Sequence, residues 1–375
     1  MMVPNCDMAT EDDSAQARDL YREGVRHYEA GELAAAEKAF ESALALDPGR
    51  ASTSVSLAST RLRLGRTDEA LTLADAVLQA DPRNIDALGL RGAALATLGM
   101  FPNALEAFDA IIALKPRHTQ AWTMRGNVLR ELGRMEEANE SFNRAAEDSP
   151  DPETLRYYGA ASGEGEPPPS APRAYVQSLF DNYAASYDSE LVDTLNYRAP
   201  QLLADGLAAL GRRFGRALDL GCGTGLCAPL LKPMVDELVG VDLAPQMLEQ
   251  ARQRNLYDEL HDGDVAEYIA SSAGPWDLAV AADVFVYVGR LEPVFEALAP
   301  KMAPGGVFCF SLEEHAGPEP LVLQTSRRYA HSEAYIRELA AAHGFRVQQA
   351  TRAPIRDQRA TPIVGLCAWL VRDGG

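Results

Sequence analysis

The chain has 375 residues, of which 47% are hydrophobic and 24% charged, and its formal net charge is −19. Acidic residues outnumber basic ones in both halves, which argues against a nucleic-acid partner because both halves would repel a phosphate backbone. No apolar run approaches the roughly 20 residues of a membrane span, and the acidic start does not resemble a signal peptide. We therefore expect a cytoplasmic protein without a membrane partner.

The cysteines give no sign of a metal site. The chain has five cysteines, and no two of them are spaced as C-x-x-C. This pattern suits free thiols in a reducing compartment. We therefore expect no bound metal ion.

A repeat of 34 residues follows a predicted flexible N-terminus at residues 1–16. It is marked by glycines and prolines that each recur at this step: Gly31, Gly65, Gly99, Gly133, Pro48, Pro82, Pro116 and Pro150. This pattern resembles the tetratricopeptide repeat, a pair of antiparallel helices that stacks on its neighbours. We expect an all-α solenoid at residues 17–161, made of four repeats and a capping helix.

The concave face of such a solenoid is the expected binding surface. The candidate anchors lie on the first helix of each repeat: Tyr21, Tyr28, Arg63, Asn127 and Arg130. Only Asn127 matches the phase at which family members hold a C-terminal carboxylate, so an extended peptide of apolar and partly acidic character is favoured. The alternative is an array that acts as a spacer or assembly surface, and the sequence does not determine the oligomeric state.

A stretch rich in proline, glycine and serine, SGEGEPPPSAP at residues 162–172, is predicted to be a linker. After it, short apolar runs alternate with helical ones, which is typical of a mostly parallel sheet with helices on both faces. In such sheets ligands lie beyond the carboxyl ends of the strands. The glycine loop in ALDLGCGTG, at 217–225, is expected there.

The spacing of this loop separates two kinds of ligand. Gly221, Gly223 and Gly225 are spaced as G-x-G-x-G, whereas a dinucleotide loop reads G-x-G-x-x-G and rests a pyrophosphate on a helix. Asp219, at the end of the preceding strand, would repel a pyrophosphate and attract an ammonium or sulfonium group.

These residues, with VGVDL, DGDV and MAPGGVFCFSL further on, resemble the motifs of class I S-adenosylmethionine-dependent methyltransferases. The resemblance implies a Rossmann-like, mostly parallel sheet of seven strands at residues 173–375, with S-adenosylmethionine as cofactor and S-adenosylhomocysteine as product. It implies a cofactor site formed by Asp219, Gly221, Cys222, Gly223, Gly225, Asp242, Leu243, Met247, Asp264, Val265 and Asp283. In this site Asp242 would accept the ribose hydroxyls. Met247 would rest on the adenine or belong to the core, and Asp264 would accept from the adenine amine or cap a helix.

A helical segment precedes the sheet, at residues 173–211. Its FDNYAASYD resembles the F-D-x-Y-A-x-x-Y-D segment of methyltransferases of ubiquinone and biotin synthesis, which lies over the cofactor as a lid. Tyr183 and Tyr187, four residues apart, would share one helix face and shield the sulfonium. The alternative is a packed helix face.

The implied reaction is transfer of a methyl group to an O, N, S or C nucleophile. Candidate bases near the carboxyl ends of the fourth and fifth strands are Asp283, Tyr287, His315 and His331. The family often has His or Glu where Tyr287 stands, and the two histidines could instead be a loop residue and a helix N-terminal residue.

The whole chain resembles a bacterial group that joins tetratricopeptide repeats to a methyltransferase. We expect the repeats to recruit a peptide or protein substrate. The alternatives are a small-molecule O-, N- or S-methyltransferase whose repeats serve assembly, and a non-catalytic scaffold that binds the cofactor.

Overall fold

A computed structural model describes residues 11–163, 167–184, 187–189, 195–358 and 361–374. The chain divides into two compact units, Met1–Ser162 and Gly163–Gly375. No helix among these residues is both long and apolar enough to cross a membrane.

The first unit is all-helical. Its helices are α1 (Glu11–Glu29), α2 (Leu33–Leu46), α3 (Ala51–Arg63), α4 (Thr67–Ala80), α5 (Ile85–Thr97), α6 (Phe101–Leu114), α7 (Thr119–Glu131), α8 (Met135–Glu147) and α9 (Pro152–Ala160). The glycine between the two helices of each repeat has φ between 74° and 78°, a left-handed conformation that other residues rarely adopt. The predicted glycine turns are therefore present at each repeat.

Alanine and phenylalanine fill the interface between the helices of each pair. Ala104 and Phe108 of α6 are both buried. A Cβ atom added to Gly92 of α5 would lie 2.7 Å from the Phe108 ring, so only glycine lets α5 approach this closely. Helix α1 begins at Glu11, six residues before the predicted start of the repeats at residue 17, and its Ala17 is fully buried. Residues 11–16, predicted to be flexible, are therefore part of the first helix.

The second unit is an α/β fold. Its helices are α10 (Arg173–Tyr183), α11 (Tyr187–Ser189), α12 (Ala199–Ala208), α13 (Ala228–Leu231), α14 (Pro245–Gln253), α15 (Val265–Ser271), α16 (Glu292–Leu298) and α17 (Glu333–Ala342). Its strands are β1 (Phe214–Leu220), β2 (Val235–Asp242), β3 (Glu259–Asp262), β4 (Trp276–Ala281), β5 (Met302–Glu314), β6 (Leu321–Leu323), β7 (Tyr329–His331), β8 (Phe345–Gln358) and β9 (Thr361–Arg372).

The strands form one sheet with the order β3-β2-β1-β4-β5-β7-β6, and β9 joins β5 and β8 in antiparallel pairs. The described part of the sheet has nine strands instead of the predicted seven. The two additional strands are β6 and β7, a short pair that extends the end of β5 through Glu313 and Glu314. Their three-residue length leaves no apolar period long enough to detect in the sequence.

Both faces of the sheet are covered by apolar side chains. Phe308 and Phe310 of β5 belong to the cluster on one face, and Val307 and Cys309 belong to the cluster on the other. Successive residues of a strand point to opposite faces, so a strand buried on both faces is an unbroken apolar run. The strand order reverses between β1 and β4, which places a crevice at their carboxyl ends.

Part of the predicted linker belongs to the second unit. Pro168 O accepts the Tyr329 hydroxyl at 2.7 Å, Pro169 O accepts the Arg290 N–H at 2.7 Å, and Ala171 N–H donates to Tyr287 O at 2.9 Å. We call residues 168–171 the strap. The strap lies within the predicted linker and is fastened to the second unit, because an extended proline-rich chain can pair with a neighbouring segment through its remaining carbonyl and N–H groups.

Candidate functional site

A cavity of about 870 Å³, part of it open to solvent, lies at the carboxyl ends of β1, β2 and β4. It is lined by many of the predicted site residues: Tyr187, Gly221, Gly223, Asp242, Leu243, Met247, Asp264, Val265, Asp283 and Tyr287. Further lining residues that the sequence did not single out are Ser170, Ala171, Arg173, Val176, Phe180, Ala282, Val284 and Val288. The strap therefore forms part of the wall, which its linker-like composition concealed.

Asp242 ties the glycine loop to the end of β2. Its Oδ2 accepts the Gly223 N–H at 2.8 Å, and its Oδ1 accepts the Ala244 N–H at 2.9 Å. Burial raises the pKa of Asp242, although these N–H donors act in the opposite direction. Each carboxylate oxygen can accept a second hydrogen bond, so Asp242 can hold the loop and also receive two donors from a ligand.

The glycines of the loop have different roles. Gly221 has φ of 63°, and an added Cβ would lie 2.6 Å from Val284. Gly223 has φ of 54°, and an added Cβ would meet no protein atom within 4 Å, so this position faces the open cavity. Gly225 does not line the cavity; its φ is 85° and an added Cβ would lie 3.1 Å from Arg254. Gly223 is thus the place where a ligand can approach the backbone.

Asp264 and Met247 each have a structural contact and also line the cavity, so both of the roles predicted for each residue remain compatible with the structure. Asp264 caps α15, since its side chain accepts the N–H groups of Ala266 and Glu267 at 2.9 and 3.1 Å, and it also lines the cavity. Met247 is 1% exposed and packs against Ala244, yet it too lines the cavity. Core packing and ligand contact are therefore compatible for both.

An aromatic group covers one side of the cavity. The Phe180 ring meets Tyr187 and Tyr287 edge to face, with centroids 5.8 and 5.4 Å apart. The predicted shared face of Tyr183 and Tyr187 is wrong: α10 ends at Tyr183, Tyr187 begins α11, and Tyr183 is 46% exposed and outside the cavity. Phe180, and not Tyr183, packs against Tyr187 at the cavity. Phe180 lies seven residues before Tyr187, a spacing that could have identified it in the sequence.

Asp283 lies in a buried cluster of charges. Its φ of 59° is left-handed, and its N–H donates to Ser311 Oγ at 2.9 Å. Arg356, which is 3% exposed, donates from Nη1 to both carboxylate oxygens of Asp283 at 2.6 Å and from Nη2 to Glu313. The guanidinium thus balances two carboxylates next to the cavity. Arg356 gave no sequence signal, because it lies 73 residues beyond Asp283.

Asp219 does not line the cavity, contrary to the prediction that it faces a cationic ligand. Its side chain is buried behind the loop and accepts the Tyr257 hydroxyl at 2.6 Å. Burial raises the pKa of Asp219 to about 7, while the hydrogen bond from Tyr257 lowers it. Tyr257 is 38 residues away in the chain, so the sequence could not reveal this partner.

Neither predicted histidine reaches the cavity. His331 is fully buried, its Nε2 lies 2.7 Å from Gly289 O, and burial lowers its pKa to about 4. Because His331 is buried in the core and bonded to a backbone carbonyl outside the cavity, it cannot act as the predicted base on a ligand there. His315 binds Glu319 at 3.0 Å and also lies outside the cavity.

A smaller cavity adjoins the first and shares four lining residues with it: Tyr187, Gly221, Gly223 and Ala282. Cys222 and Thr224 line this smaller cavity only. The Tyr197 hydroxyl, which also lines it, donates to Ala282 O at 3.2 Å. The predicted residue Cys222 is therefore next to the main cavity and not in it.

The first unit has a cavity of its own on the first helices of its middle repeats. Its lining includes Val55 and Ser59 of α3, Leu90 and Ala93 of α5, and Met124 of α7. The five predicted anchors, Tyr21, Tyr28, Arg63, Asn127 and Arg130, are not among its lining residues.

Packing within the repeats explains where the predicted anchors lie. Tyr21 packs against Phe40 with ring centroids 5.7 Å apart, and Tyr28 bonds Ser59 through its hydroxyl at 2.8 Å. Arg63 lies 4.7 Å from the centroid of the Tyr28 ring. Arg130 pairs with Glu131 at 3.1 Å. Their aromatic and charged groups therefore serve contacts within the unit.

Comparison with known families gives each unit a counterpart. Residues 218–308 match the model of a methyltransferase domain, and residues 27–94 and 90–152 match two models of the tetratricopeptide repeat. The chain therefore carries a segment that matches a methyltransferase domain and, before it, segments that match the tetratricopeptide repeat. Both resemblances predicted from the sequence are confirmed.

Relatives of this methyltransferase domain include a malonyl-[acyl-carrier protein] O-methyltransferase of Salmonella typhimurium, 32% identical over 40% of this chain and 61% of that protein. Human methyltransferase-like protein 27 is 44% identical over 22% of this chain and 35% of that protein. The crystal structure of magnesium protoporphyrin IX methyltransferase from Synechocystis PCC 6803 with bound SAM is 17% identical, covers 54% of this chain and 97% of that chain, and has a TM-score of 0.42. The chain thus spans between about a third and three fifths of the length of these two relatives.

Proposed function

We propose that this protein transfers a methyl group from S-adenosylmethionine to an acceptor bound in the main cavity. The observation that carries the proposal is the position of Asp242, which fastens Gly223 and keeps acceptor capacity at the cavity wall. A ribose has two adjacent hydroxyl donors, and a carboxylate at the end of the second strand matches them.

The rest of the cavity fits the same cofactor. Gly223 leaves its backbone open to the ligand, Met247 offers an apolar contact, and Asp264 offers a carboxylate to an amine. Phe180, Tyr187 and Tyr287 give an aromatic surface for a cation. S-adenosylmethionine supplies a methyl group that its sulfonium makes electrophilic, so the protein's task is to align the acceptor and exclude water.

The side chains near Phe180, Tyr187 and Tyr287 at one end of the cavity suggest how the methyl acceptor is held there. Asp283 is a carboxylate that accepts hydrogen bonds only, and its left-handed backbone is fixed by Ser311. We infer that it orients an acceptor O–H or N–H and receives the proton that the acceptor loses. Tyr287 lines the same end, while burial raises the pKa of Tyr187, which keeps the Tyr187 hydroxyl protonated and unsuited as a base.

The test of this function uses the whole chain. Titration calorimetry with S-adenosylhomocysteine should give a saturable heat with one site per chain, and cofactor labelled in its methyl group should label a component of a lysate of the source cell. Heat without any labelling would favour the non-catalytic scaffold. A chain that binds no S-adenosylhomocysteine would contradict the proposal.

We further propose that the repeats recruit the acceptor as a peptide or protein. The cavity formed by α3, α5 and α7 is largely apolar, which suits an extended segment with apolar side chains. An acceptor held by the repeats gains effective concentration at the methyltransferase domain of the same chain. The alternative, a small-molecule acceptor, is supported by the name of another relative, a trans-aconitate 2-methyltransferase of Rhodopseudomonas palustris.

A charge placed in the repeat cavity distinguishes these two acceptors. Ala93→Glu should abolish labelling of a macromolecule, at least 10-fold, because the buried carboxylate opposes an apolar segment, and cofactor binding should be unchanged. Ala76→Glu, on the exposed side of α4, is the matched control. Equal labelling by both variants, or label found only in a small organic molecule, would support the small-molecule acceptor.

A further inference from the structure

Two aspartates on α10 and α11 connect the aromatic cover to the cofactor side of the cavity. Asp181 follows Phe180, and its Oδ1 accepts the Gln246 N–H at 3.1 Å. Asp188 follows Tyr187, and its Oδ1 accepts the Thr224 hydroxyl at 2.5 Å. Phe180 and Tyr187 are thus each followed by an aspartate that is bound to another element.

Arg254 completes the second connection. Its Nη2 donates to Asp188 Oδ2, and its Nε donates to Thr224 O at 2.6 Å. Thr224 therefore meets Asp188 through its hydroxyl and Arg254 through its carbonyl. The three residues close a ring of hydrogen bonds between α11, the glycine loop and the end of α14.

The glycine loop is shaped to receive this arginine. A Cβ atom added to Gly225 would lie 3.1 Å from Arg254 Cδ and 3.0 Å from the Tyr257 ring. Gly225 does not line the cavity, so its lack of a side chain serves Arg254 and Tyr257 and not a ligand. The Cδ and Nε atoms of Arg254 thus lie against the loop.

The first connection lies at the other end of α14. Gln246 is in the first turn of that helix, where backbone N–H groups have no partner within the helix and a carboxylate is favoured by the helix dipole. Met247, the next residue, packs in one cluster with Phe180, Ala184 and Tyr187. Both ends of α14 therefore hold the cover, one through a backbone N–H and the other through a guanidinium.

We propose that Asp188, Thr224 and Arg254 form a latch that positions Tyr187 and Phe180 over the cofactor and sets how fast the cofactor leaves. This inference rests on the proposed function. Tyr187 and Phe180 touch the ligand, whereas the latch residues act through them. Neither Arg254 nor Asp188 lines the main cavity, so direct contact with the ligand does not explain their arrangement.

The latch is accessible enough to open. The Arg254 and Asp188 side chains are 26% and 45% exposed, so water and ions can replace their contacts. Thr224 is 1% exposed and stays with the loop. Opening therefore requires the loss of the contacts to Asp188, while the contact between Arg254 and Thr224 O can persist.

Release of S-adenosylhomocysteine from the whole chain tests the latch, measured by stopped-flow displacement with excess S-adenosylmethionine. Arg254→Met should raise the dissociation rate about 10-fold and leave the association rate within a factor of two. Asp188→Asn keeps the acceptor for Thr224 and loses the charge, so its increase should be smaller. The matched control is Arg252→Met on the same helix, whose guanidinium pairs with the exposed Glu249 and should not affect release.

The dependence of the dissociation rate on ionic strength distinguishes a latch that opens from a purely structural role of the same residues. The dissociation rate of the wild type should rise with ionic strength, because an exposed ion pair is screened, and that of Arg254→Met should be insensitive to salt. Equal rates and equal salt dependence in the wild type, Arg254→Met and Asp188→Asn would overturn the latch. Absence of binding by the wild type would instead contradict the proposed function, so the two failures are distinguishable.

Discussion

Asp242→Ala should weaken the binding of S-adenosylhomocysteine by about 100-fold or more. The proposed site loses two hydrogen bonds from ribose hydroxyls to a charged acceptor, and each is worth about 1.5 to 3 kcal/mol. The variant also releases the Gly223 N–H from its partner, which loosens the loop at a glycine whose added Cβ would meet no protein atom within 4 Å. Titration calorimetry on the whole chain measures the change.

Two further variants serve as controls for the affinity of Asp242→Ala. Asp262→Ala removes an exposed carboxylate at the end of the neighbouring strand β3, outside the cavity, and should bind as the wild type does. Asp242→Asn keeps the shape of the side chain, so its loss should be smaller than that of Asp242→Ala. Wild-type affinity in Asp242→Ala would show that Asp242 does not bind the ribose.

Arg356→Met should lower the free energy of unfolding by about 3 to 5 kcal/mol. Arg356 is almost fully buried between Asp283 and Glu313, and removing it leaves both carboxylates without the guanidinium that contacts them most closely. Denaturation with urea, followed by circular dichroism, measures the loss. Arg352→Met on the same strand is the matched control, since its guanidinium is 56% exposed beside Glu314 and Glu333 and should cost about 1 kcal/mol or less.

The pH dependence of this variant has a defined sign. Burial raises the pKa of Glu313, and Arg356 and Arg328 oppose that rise. Without Arg356 the pKa of Glu313 rises further, so protonation of Glu313 in the folded variant relieves the uncompensated charge at low pH. The stability lost by Arg356→Met should therefore be largest at neutral pH and above, and shrink as the pH falls through the raised pKa of Glu313 in the folded variant. A loss that is constant with pH would show that packing, and not charge, is the cause.

The architecture of both units follows from short-range signals. The turn glycines and terminal prolines repeat within single helix pairs, and the loop from Gly221 to Gly225 with Asp242 lies within two adjacent strands and their connections. Each of these features is determined by backbone conformation and by residues close in the chain, because only glycine adopts these turns without strain. A reader of the sequence can therefore place the repeats, the sheet, the loop and Asp242.

The sequence could not predict which side chains face the cavity, because this depends on contacts between residues that are distant in the chain. Asp219 turns to Tyr257, 38 residues away, and Asp188 binds Arg254, 66 residues away. His331, although polar, is buried against the carbonyl of Gly289. The strap, part of the predicted linker, pairs with the chain beside Tyr287. Sequence spacing determines where a residue lies on its helix or strand. Its hydrogen-bond partner depends on how distant elements pack in the folded chain, because a buried polar group pairs with whichever donor or acceptor the fold brings within reach.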